Sequence, residues 1–307
     1  MKTAISVIIC THNPRRDYIE RVLTALKSQT LSMEQWELLL IDNASQELLS
    51  TEIDLSWHQN GHHVREEQLG LTPARLRGIK EATSETLVFV DDDNVLAPNY
   101  LEEALKISQN WPMLGAWGGQ IMPEFEEEPP SWTKPYWWLL AIREFDRDLW
   151  SNLADQYQTT PCGAGLCLRK VVAEKYAELV YAQPERAGMD RKGKLLTCAG
   201  DMDMAFVACD LNLGTGQFTA LKLTHLMPPN RLQEDYLLKL REGESYSTIL
   251  LKFFRGKIPP KKPWFIELLR YSRRWLMEPR KRRFYDATER GITLAKAEIY
   301  RNLESKC

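Results

Sequence analysis

The sequence lacks a long hydrophobic run and an excess of charge of either sign. Its 307 residues include 40 lysines and arginines against 42 aspartates and glutamates, a formal net charge of −2. This balance gives no electrostatic support for a nucleic-acid partner, so we expect none. No stretch approaches the roughly 20 apolar residues that a membrane-spanning helix needs. We therefore expect a cytoplasmic protein that at most lies on the inner face of a membrane.

Informative cysteine patterns are also absent. The six cysteines form no C-x-x-C pair, so neither a zinc ribbon nor a dithiol redox motif is indicated. Most of them have apolar neighbours, which is typical of reduced thiols in a cytoplasm. The first residues, "MKTAISVIICTHNP", turn polar where a signal peptide would carry small residues for cleavage, so we expect no signal peptide.

The first hundred residues alternate between strand and helix patterns. Ile5–Cys10, Glu37–Ile41 and Leu87–Val90 are short apolar runs of the kind found in buried strands. Amphipathic helices are predicted between them, one of which should begin with Thr72 as its N-cap. Continuous apolar strands separated by such helices predict an α/β fold with a mostly parallel central sheet and helices on both faces.

Each predicted strand ends in polar residues. The three ends read Thr11-His12-Asn13, Asp42-Asn43 and Asp91-Asp92-Asp93. In open α/β sheets, ligands bind at the edge formed by the carboxyl ends of the strands. Three adjacent aspartates repel one another unless water or a cation is present. The cluster is therefore either a solvated turn or a D-x-D site for a hard cation such as Mg²⁺ or Mn²⁺.

Four segments of the sequence resemble a known family. "SVIICTHNPRRDYIERVLTALKSQT", "WELLLIDNAS", "GLTPARLRGI" and "LVFVDDDNVL" occur in the order, and at about the spacing, found in family 2 glycosyltransferases. The resemblance covers most of residues 4–232. It implies a GT-A fold with a nucleotide-binding half at about 1–110 and an acceptor-binding half at about 111–232. It also implies an inverting, single-displacement transfer of sugar from a nucleotide-sugar donor, expected to be a UDP-sugar, to a hydroxyl acceptor.

The resemblance assigns roles to the strand-end residues. The residues implied at the nucleotide are Thr11, Asn13, Asp42, Arg75, Asp91 and Asp92. Asp42 would recognise the base, whereas Asp92 has no specific contact assigned. Asp91 and Asp93, together with a histidine further along the chain, would bind Mg²⁺ or Mn²⁺. The simpler alternatives stay open: Asp42 can be a turn residue and Arg75 a surface charge of a helix.

The segment "CAGDMDMAF" is the predicted position of the catalytic base. Family members typically carry Gly-Glu-Asp here, and Ala199 and Gly200 replace the first two of these residues. Asp201 then keeps the position of the base, which takes the proton of the attacking hydroxyl. Asp203 is implied at the donor and acceptor. Alternatively, either aspartate caps a helix that begins near Met202.

Two further segments complete the resemblance. "THLMPPNR" matches a His-x-x-Pro-x-x-Arg pattern, which implies His225 as a metal ligand and Arg231 at the diphosphate. "CGAGLCLRKVV" places Gly163 and Gly165 where the family brings its backbone close to the donor sugar. A histidine is often only a satisfied polar residue, and glycine also permits a tight turn, so both readings have a structural alternative.

The acceptor is expected to be a glycan or a lipid-linked molecule. The aromatic stretch "SWTKPYWWLLAIREFDRDLW" suits a sugar-binding site, a core or a membrane-facing loop. Residues 233–307 are predicted to form a basic, mostly helical extension with seven lysines and arginines between Arg270 and Arg283. Residues 264–283 suit either a helix lying on an anionic membrane or an amphipathic helix packed on the catalytic domain.

Two rival functions remain at this point. A non-catalytic relative that binds a nucleotide sugar without turnover would explain the altered Gly-Glu-Asp segment. A haloacid-dehalogenase-type phosphotransferase also places D-x-D at a strand end, but that class needs Asp-x-Asp-x-Thr, and position 95 is valine.

Overall fold

The structure is a computed structural model that describes residues 3–191, 196–260, 274 and 276–304. The strands are β1 Ile5–Thr11, β2 Trp36–Asn43, β3 Gly61–Glu66, β4 Thr86–Val90, β5 Asn94–Leu96, β6 Leu114–Phe125, β7 Leu149–Ser151, β8 Cys167–Arg169 and β9 Gly214–Met227. The α-helices are α1 Arg16–Lys27, α2 Leu49–Glu52, α3 Leu71–Glu81, α4 Tyr100–Asn110, α5 Lys170–Ala182, α6 Gly200–Asp210, α7 Glu234–Phe254 and α8 Pro279–Glu304.

The chain divides into two units. Met1–Ala187 and Gly200–Pro229 form the first, and Gly188–Ala199 and Asn230–Cys307 form the second. All nine described strands belong to the first unit. The predicted boundary at residue 232, between a catalytic domain and an extension, concerns function and stays a prediction.

The strands form one sheet in the order β3-β2-β1-β4-β8-β6-β9-β5, with β7 paired to β9. β1, β2, β3 and β4 are mutually parallel, and β6 and β9 run in the same direction as these four. The predicted α/β class with a mostly parallel sheet is therefore confirmed. The edge strand β3 was missed because its sequence, "GHHVRE", has neither an apolar run nor a regular apolar alternation.

Both faces of the sheet are buried. Along β1, Val7 and Ile9 pack into one hydrophobic cluster together with Leu38 of β2. Ile8, which points to the opposite face, packs into a second cluster with Leu39. Successive side chains of a strand point to opposite faces, so a continuous apolar run is what a sheet covered on both sides requires.

Helix α3 begins earlier than its sequence predicts. Thr72 is not the N-cap, since the helix starts at Leu71 and is capped by Gly70 at φ +144°. The Gly70 N–H donates to Oδ1 of Asn43 at 2.8 Å, which ties the turn to the end of β2. This positive φ favours glycine, so the backbone requirement of the turn decided the boundary instead of the hydroxyl of Thr72.

The second unit contains the helices α7 and α8. A Cβ atom added to Gly291 of α8 would collide with the carbonyl oxygen of Glu242 on α7, so the two backbones approach closely there. Arg283 of α8 donates to Glu234 at 2.7 Å, and Arg290 donates to Glu242 at 2.8 Å. These described basic side chains are thus paired with acidic residues of α7. The predicted helical C-terminal extension is confirmed over the described residues.

The predicted membrane contact through 264–283 lies mostly outside the described residues, since 261–273 and 275 are not among them. Of the helices that the structure does describe, none combines the length and the apolar character needed to cross a bilayer.

Candidate active site

The strand ends meet at the carboxyl edge of the sheet, as their register requires. Thr11 pairs with Asp42 across β1 and β2, and Ile9 pairs with Val90 across β1 and β4. Two residues beyond that second pair, Oγ1 of Thr11 donates a hydrogen bond to Oδ2 of Asp92. Asp92 therefore has a defined partner, Thr11, which could not be predicted from the sequence.

The loops that follow β1 and β2 hold each other in place. Asn13 adopts a positive φ of 48°. Its N–H donates to Oγ of Ser45 at 3.0 Å, and its Oδ1 accepts from the N–H of Gln46 at 2.8 Å. Asparagine tolerates this left-handed conformation better than most residues. These hydrogen bonds hold the two loops together at the edge of the sheet where the nucleotide is predicted to bind.

Asp42 is buried, and its carboxylate is largely used by the protein. Its oxygens accept from the N–H of Ser45 at 3.0 Å, the N–H of Leu49 at 3.2 Å and Nη1 of Arg65 at 2.8 Å. Burial alone would raise the pKa of Asp42, but the hydrogen bonds from Ser45, Arg65 and Leu49 together lower it. The structure thus gives Asp42 a turn-fixing role, and its recognition of a base stays a prediction.

Asp93 and His225 are brought together by strand pairing. The antiparallel pair of β5 and β9 places Asn94 opposite His225, and the N–H of Leu226 donates to the carbonyl of Asp93 at 2.9 Å. Nε2 of His225 then lies 3.3 Å from Oδ2 of Asp93. Both side chains are buried. The two residues are 132 positions apart in sequence, and the pairing of the short strand β5 with β9 brings them together.

Within the described part of the chain, no group of three or more His, Cys, Asp or Glu side chains is arranged to bind a metal ion. The predicted ligand set of Asp91, Asp93 and His225 is therefore not assembled as a three-residue site. Asp93 and His225 still offer one carboxylate and one imidazole. That donor set fits a divalent ion that takes its other ligands from phosphate oxygens.

Asp201 lies in the first turn of α6. Its Oδ2 accepts the N–H of Gly163 at 2.6 Å, and its Oδ1 accepts the N–H of Met202 at 2.8 Å. A Cβ atom built on Gly163 would lie 2.7 Å from Nη2 of Arg75 and 3.4 Å from Oδ2 of Asp201. Arg75 is buried at 4% exposure, so it is not a surface charge of its helix. Helix α6 begins at Gly200, slightly before the predicted start.

Asp203 is fully buried on α6. Its side chain has no exposed surface, and both carboxylate oxygens accept hydrogen bonds from Nη1 of Arg186, at 2.7 and 2.6 Å. The structure thus places Asp203 in a buried ion pair, and its predicted contact with the donor or acceptor stays a prediction. Sequence reasoning missed Arg186 because nothing local marks a partner 17 residues away.

Gly165 has a structural reason to be glycine. Its φ is +71°, and a Cβ atom there would collide with the hydroxyl of Tyr100, which donates to the Gly165 carbonyl at 2.6 Å. Its predicted contact with the donor sugar stays a prediction. Arg231 lies in a short 3-10 helix, Pro229–Leu232, and its predicted contact with the diphosphate also stays untested.

The environment of Cys162 shows that several charged side chains share one locality. Burial raises the pKa of the Cys162 thiol to about 11, Arg143 opposes that shift, and Asp201 and Asp91 add to it. Asp91 and Asp201, 110 residues apart in sequence, therefore both affect the thiol of Cys162. Arg143 is a further member of this site that sequence reasoning did not find.

The family model described as glycosyl transferase family 2 matches residues 6–172, more than half of the chain. The chain belongs to this family. Its members generally use divalent metals.

Curated relatives of this family 2 chain match it over part of their length. Glucosyl-dolichyl phosphate glucuronosyltransferase from Haloferax volcanii is 24% identical over 148 residues, which are 46% of this chain and 45% of that protein. Glycosyltransferase AglE from the same organism is 29% identical over 104 residues, 33% of this chain and 34% of that protein. The alignments thus span less than half the length of these relatives.

Solved structures support the fold. The S. aureus TarS structure has a TM-score of 0.52 at 16% identity, covering 83% of this chain and 43% of that chain. TarS 1–349 in complex with UDP-GlcNAc also has a TM-score of 0.52, at 15% identity, covering 80% of this chain and 67% of that chain. The GT-A fold predicted from the sequence is confirmed.

Proposed function

We propose that this protein is an inverting glycosyltransferase that moves a sugar from a UDP-sugar to a hydroxyl acceptor by a single displacement. The observation that carries the proposal is that Gly163 lies next to both Asp201 and Arg75. These residues come from α6, α3 and the loop before β8, and they belong to the unit that carries the strand-end aspartates.

Asp201 is the proposed general base. The N–H groups of Gly163 and Met202 hold its two oxygens in a defined orientation. Its position in the first turn of α6 also lets its negative charge interact favourably with the helix dipole. A carboxylate held in this way can take the proton of the acceptor hydroxyl while that oxygen attacks the anomeric carbon.

The donor is proposed to bind at the carboxyl edge of β1, β2 and β4. Thr11, Asn13 and Asp92 shape this edge, and the buried guanidinium of Arg75 supplies a positive charge for phosphate oxygens. UDP-GlcNAc bound to the similarly folded TarS supports the choice of a UDP-sugar. Asp42 contributes through the loop that it stabilises, with base recognition as its proposed second role.

Asp93 and His225, with Asp91 beside them, are the proposed holders of a Mg²⁺ or Mn²⁺ ion. When bound, such an ion would neutralise the negative charge that develops on the departing diphosphate. The residues of the chain fix its position, because β5 and β9 hold Asp93 against His225. The buried pair of Arg186 and Asp203 positions the first turn of α6, and with it Asp201.

The test is UDP release from a panel of UDP-sugars, with Mn²⁺ or with EDTA, for the wild type and for Asp201→Asn. We expect metal-dependent release that Asp201→Asn lowers by roughly 100- to 10,000-fold, with the affinity for UDP unchanged. Asp210→Asn, an exposed aspartate at the other end of α6, is the matched control and should retain the wild-type rate.

Three results would overturn the proposal. UDP-sugar binding without release under any condition would make the chain a non-catalytic relative. Phosphate labelling of Asp91 would instead identify a phosphotransferase. Equal rates for Asp201→Asn and the wild type would remove the base assignment.

A further inference from the structure

One arginine of the first unit, Arg143, has no partner for its side chain among the residues that the structure describes. Its backbone is hydrogen-bonded, but its guanidinium makes no hydrogen bond or ion pair with any residue that the structure describes. The side chain is half-buried. A partly desolvated guanidinium without a directly hydrogen-bonded anion is unfavourable, and an anionic ligand would remove that penalty.

The strand register places this guanidinium on the face of the sheet that carries His225. Ile121 and Arg143 form an antiparallel bridge, with N–H···O distances of 2.8 and 3.1 Å, and residues opposite each other in such a bridge share a face. Ile121, Pro123 and Phe125 alternate along β6 and so point to that same face. Pro123 pairs with His225. Each step of two residues along the strand is about 6–7 Å.

An aromatic 3-10 helix, Ser131–Leu140, follows β6 and ends three residues before the arginine. We call it the aromatic segment. Trp137 stacks on Phe125 with ring centroids 4.9 Å apart, and its Nε1 donates to Oγ1 of Thr133 at 3.0 Å. The residue Trp138 is 43% exposed. The segment is therefore a fixed apolar surface that is not fully covered by the described protein.

The charged groups around Cys162 indicate whether Arg143 lies on the donor side or the acceptor side of the site. Arg143 is the largest charge effect on that thiol, followed by Asp201, with Asp91 contributing less. Arg143 thus lies near the proposed base. The donor edge already has its own cation in Arg75. The anion that Arg143 can bind is therefore on the acceptor side.

We propose that Arg143 binds the phosphate of a lipid-linked glycosyl phosphate acceptor, in which the sugar carries the attacking hydroxyl and the apolar chain packs on the aromatic segment. This inference rests on the proposed function, because it names the acceptor class of the same site. A guanidinium pairs with phosphate through two parallel hydrogen bonds, and indole rings pack well against an apolar chain. A neutral glycan would leave the guanidinium unpaired. A free phosphate would leave the rings uncovered.

The test uses farnesyl phosphate as the probe, with farnesol and inorganic phosphate as the two partial ligands. Binding to the full chain is measured by titration calorimetry, together with binding of UDP. We expect farnesyl phosphate to bind about 10- to 100-fold more tightly than farnesol. Arg143→Met should remove that difference and leave UDP affinity unchanged. Arg147→Met, an exposed arginine of the same loop, is the matched control and should keep the difference.

Trp138→Ala tests the second half of the site. It should weaken farnesyl phosphate several-fold without affecting inorganic phosphate, since only the chain contacts the ring. Farnesyl phosphate that binds Arg143→Met as tightly as the wild type would overturn the inference. A loss of UDP affinity in Arg143→Met would overturn it as well and place the arginine at the donor diphosphate.

Failure of the proposed function looks different from failure of this inference. No turnover of any UDP-sugar, with probe binding that still depends on Arg143, would reject the transferase and keep the anion site. Turnover that depends on Asp201, with probe binding indifferent to Arg143, would keep the transferase and reject the acceptor class.

Discussion

The two edges of the central sheet use carboxylates in opposite ways. At the amino edge, Oε1 of Glu37 accepts from Oγ of Ser6 at 2.5 Å, and from the N–H and hydroxyl of Thr83 at 2.7 and 2.8 Å. Ser84 closes the network by donating its N–H to Ser6 at 3.1 Å. Every group in this network has a partner, so we assign the amino edge to stability.

At the carboxyl edge several carboxylates lie close together. Asp91, Asp92 and Asp93 are adjacent, and Asp201 acts on the same locality as Asp91. Like charges gathered in this way destabilise the folded chain unless a cation or a charged ligand joins them. The difference teaches that one sheet can hold an isolated carboxylate among hydroxyl and amide donors at one edge and a group of neighbouring carboxylates at the other.

The largest expected effect on the rate of UDP release follows from substituting a carboxylate at the carboxyl edge. Asp93→Asn should lower UDP release on the order of 100-fold or more, because it removes a proposed ligand of the divalent ion. Its melting temperature should stay constant or rise, since one of three adjacent charges is gone. A wild-type rate combined with a lower melting temperature would make Asp93 a structural residue. Asp210→Asn again serves as the control.

Removing the carboxylate at the amino edge should instead lower the stability and leave the rate almost unchanged. Glu37→Ala leaves buried donors of Ser6 and Thr83 without their acceptor, which costs about 2–3 kcal/mol of folding free energy and lowers the melting temperature by several degrees. The rate per folded molecule should change by less than about twofold. Glu37→Gln keeps one acceptor oxygen and should lose less stability. A large loss of rate without loss of stability would contradict the assignment.

Two glycines of the loop before β8 should show the same contrast between stability and rate, with smaller effects. Gly165→Ala should cost about 1–3 kcal/mol, because the left-handed backbone and the hydroxyl of Tyr100 leave no space for a methyl group. Gly163→Ala should instead lower UDP release by roughly tenfold, because the methyl group displaces the guanidinium of Arg75 beside Asp201. Thermal melts and rates of both variants check this division. Equal patterns in the two variants would refute it.

The smallest effect concerns the ion pair of Asp42 and Arg65. Although burial raises the pKa of Asp42, its hydrogen bonds lower it below the unfolded value of about 3.9, so the pair stabilises the fold above that pH. This stabilisation is lost as the pH falls through the folded pKa. Arg65→Met should therefore lower the melting temperature at pH 7, and its difference from the wild type should shrink below about pH 4.

Arg77→Met is the control for that pH series, since Arg77 pairs with Glu81 on α3 and makes no contact with Asp42 among the hydrogen bonds and ion pairs described for it. A difference between Arg65→Met and the wild type that stays constant from pH 7 to pH 3 would show that the arginine acts by packing alone.

The grouping of the strand ends at one edge could be predicted because its signals are local. Thr11, Asp42 and Asp91 each follow an apolar strand directly, and parallel strands bring their carboxyl ends to one edge. The N-cap of α3 and the edge strand β3 could not be predicted in the same way. Gly70 begins the helix through a backbone conformation and a hydrogen bond to Asn43, and β3 carries polar side chains at a sheet edge.

The sequence by itself determined the α/β class, the strand ends and the motifs that mark a family 2 chain, since each is encoded within a few neighbouring residues. Only the tertiary structure decided which partner each charged group has. It placed Asp203 in a buried pair with Arg186, set Asp93 against His225 and left the guanidinium of Arg143 without a described partner. These outcomes depend on packing between distant elements, and no local periodicity records which distant side chains will meet.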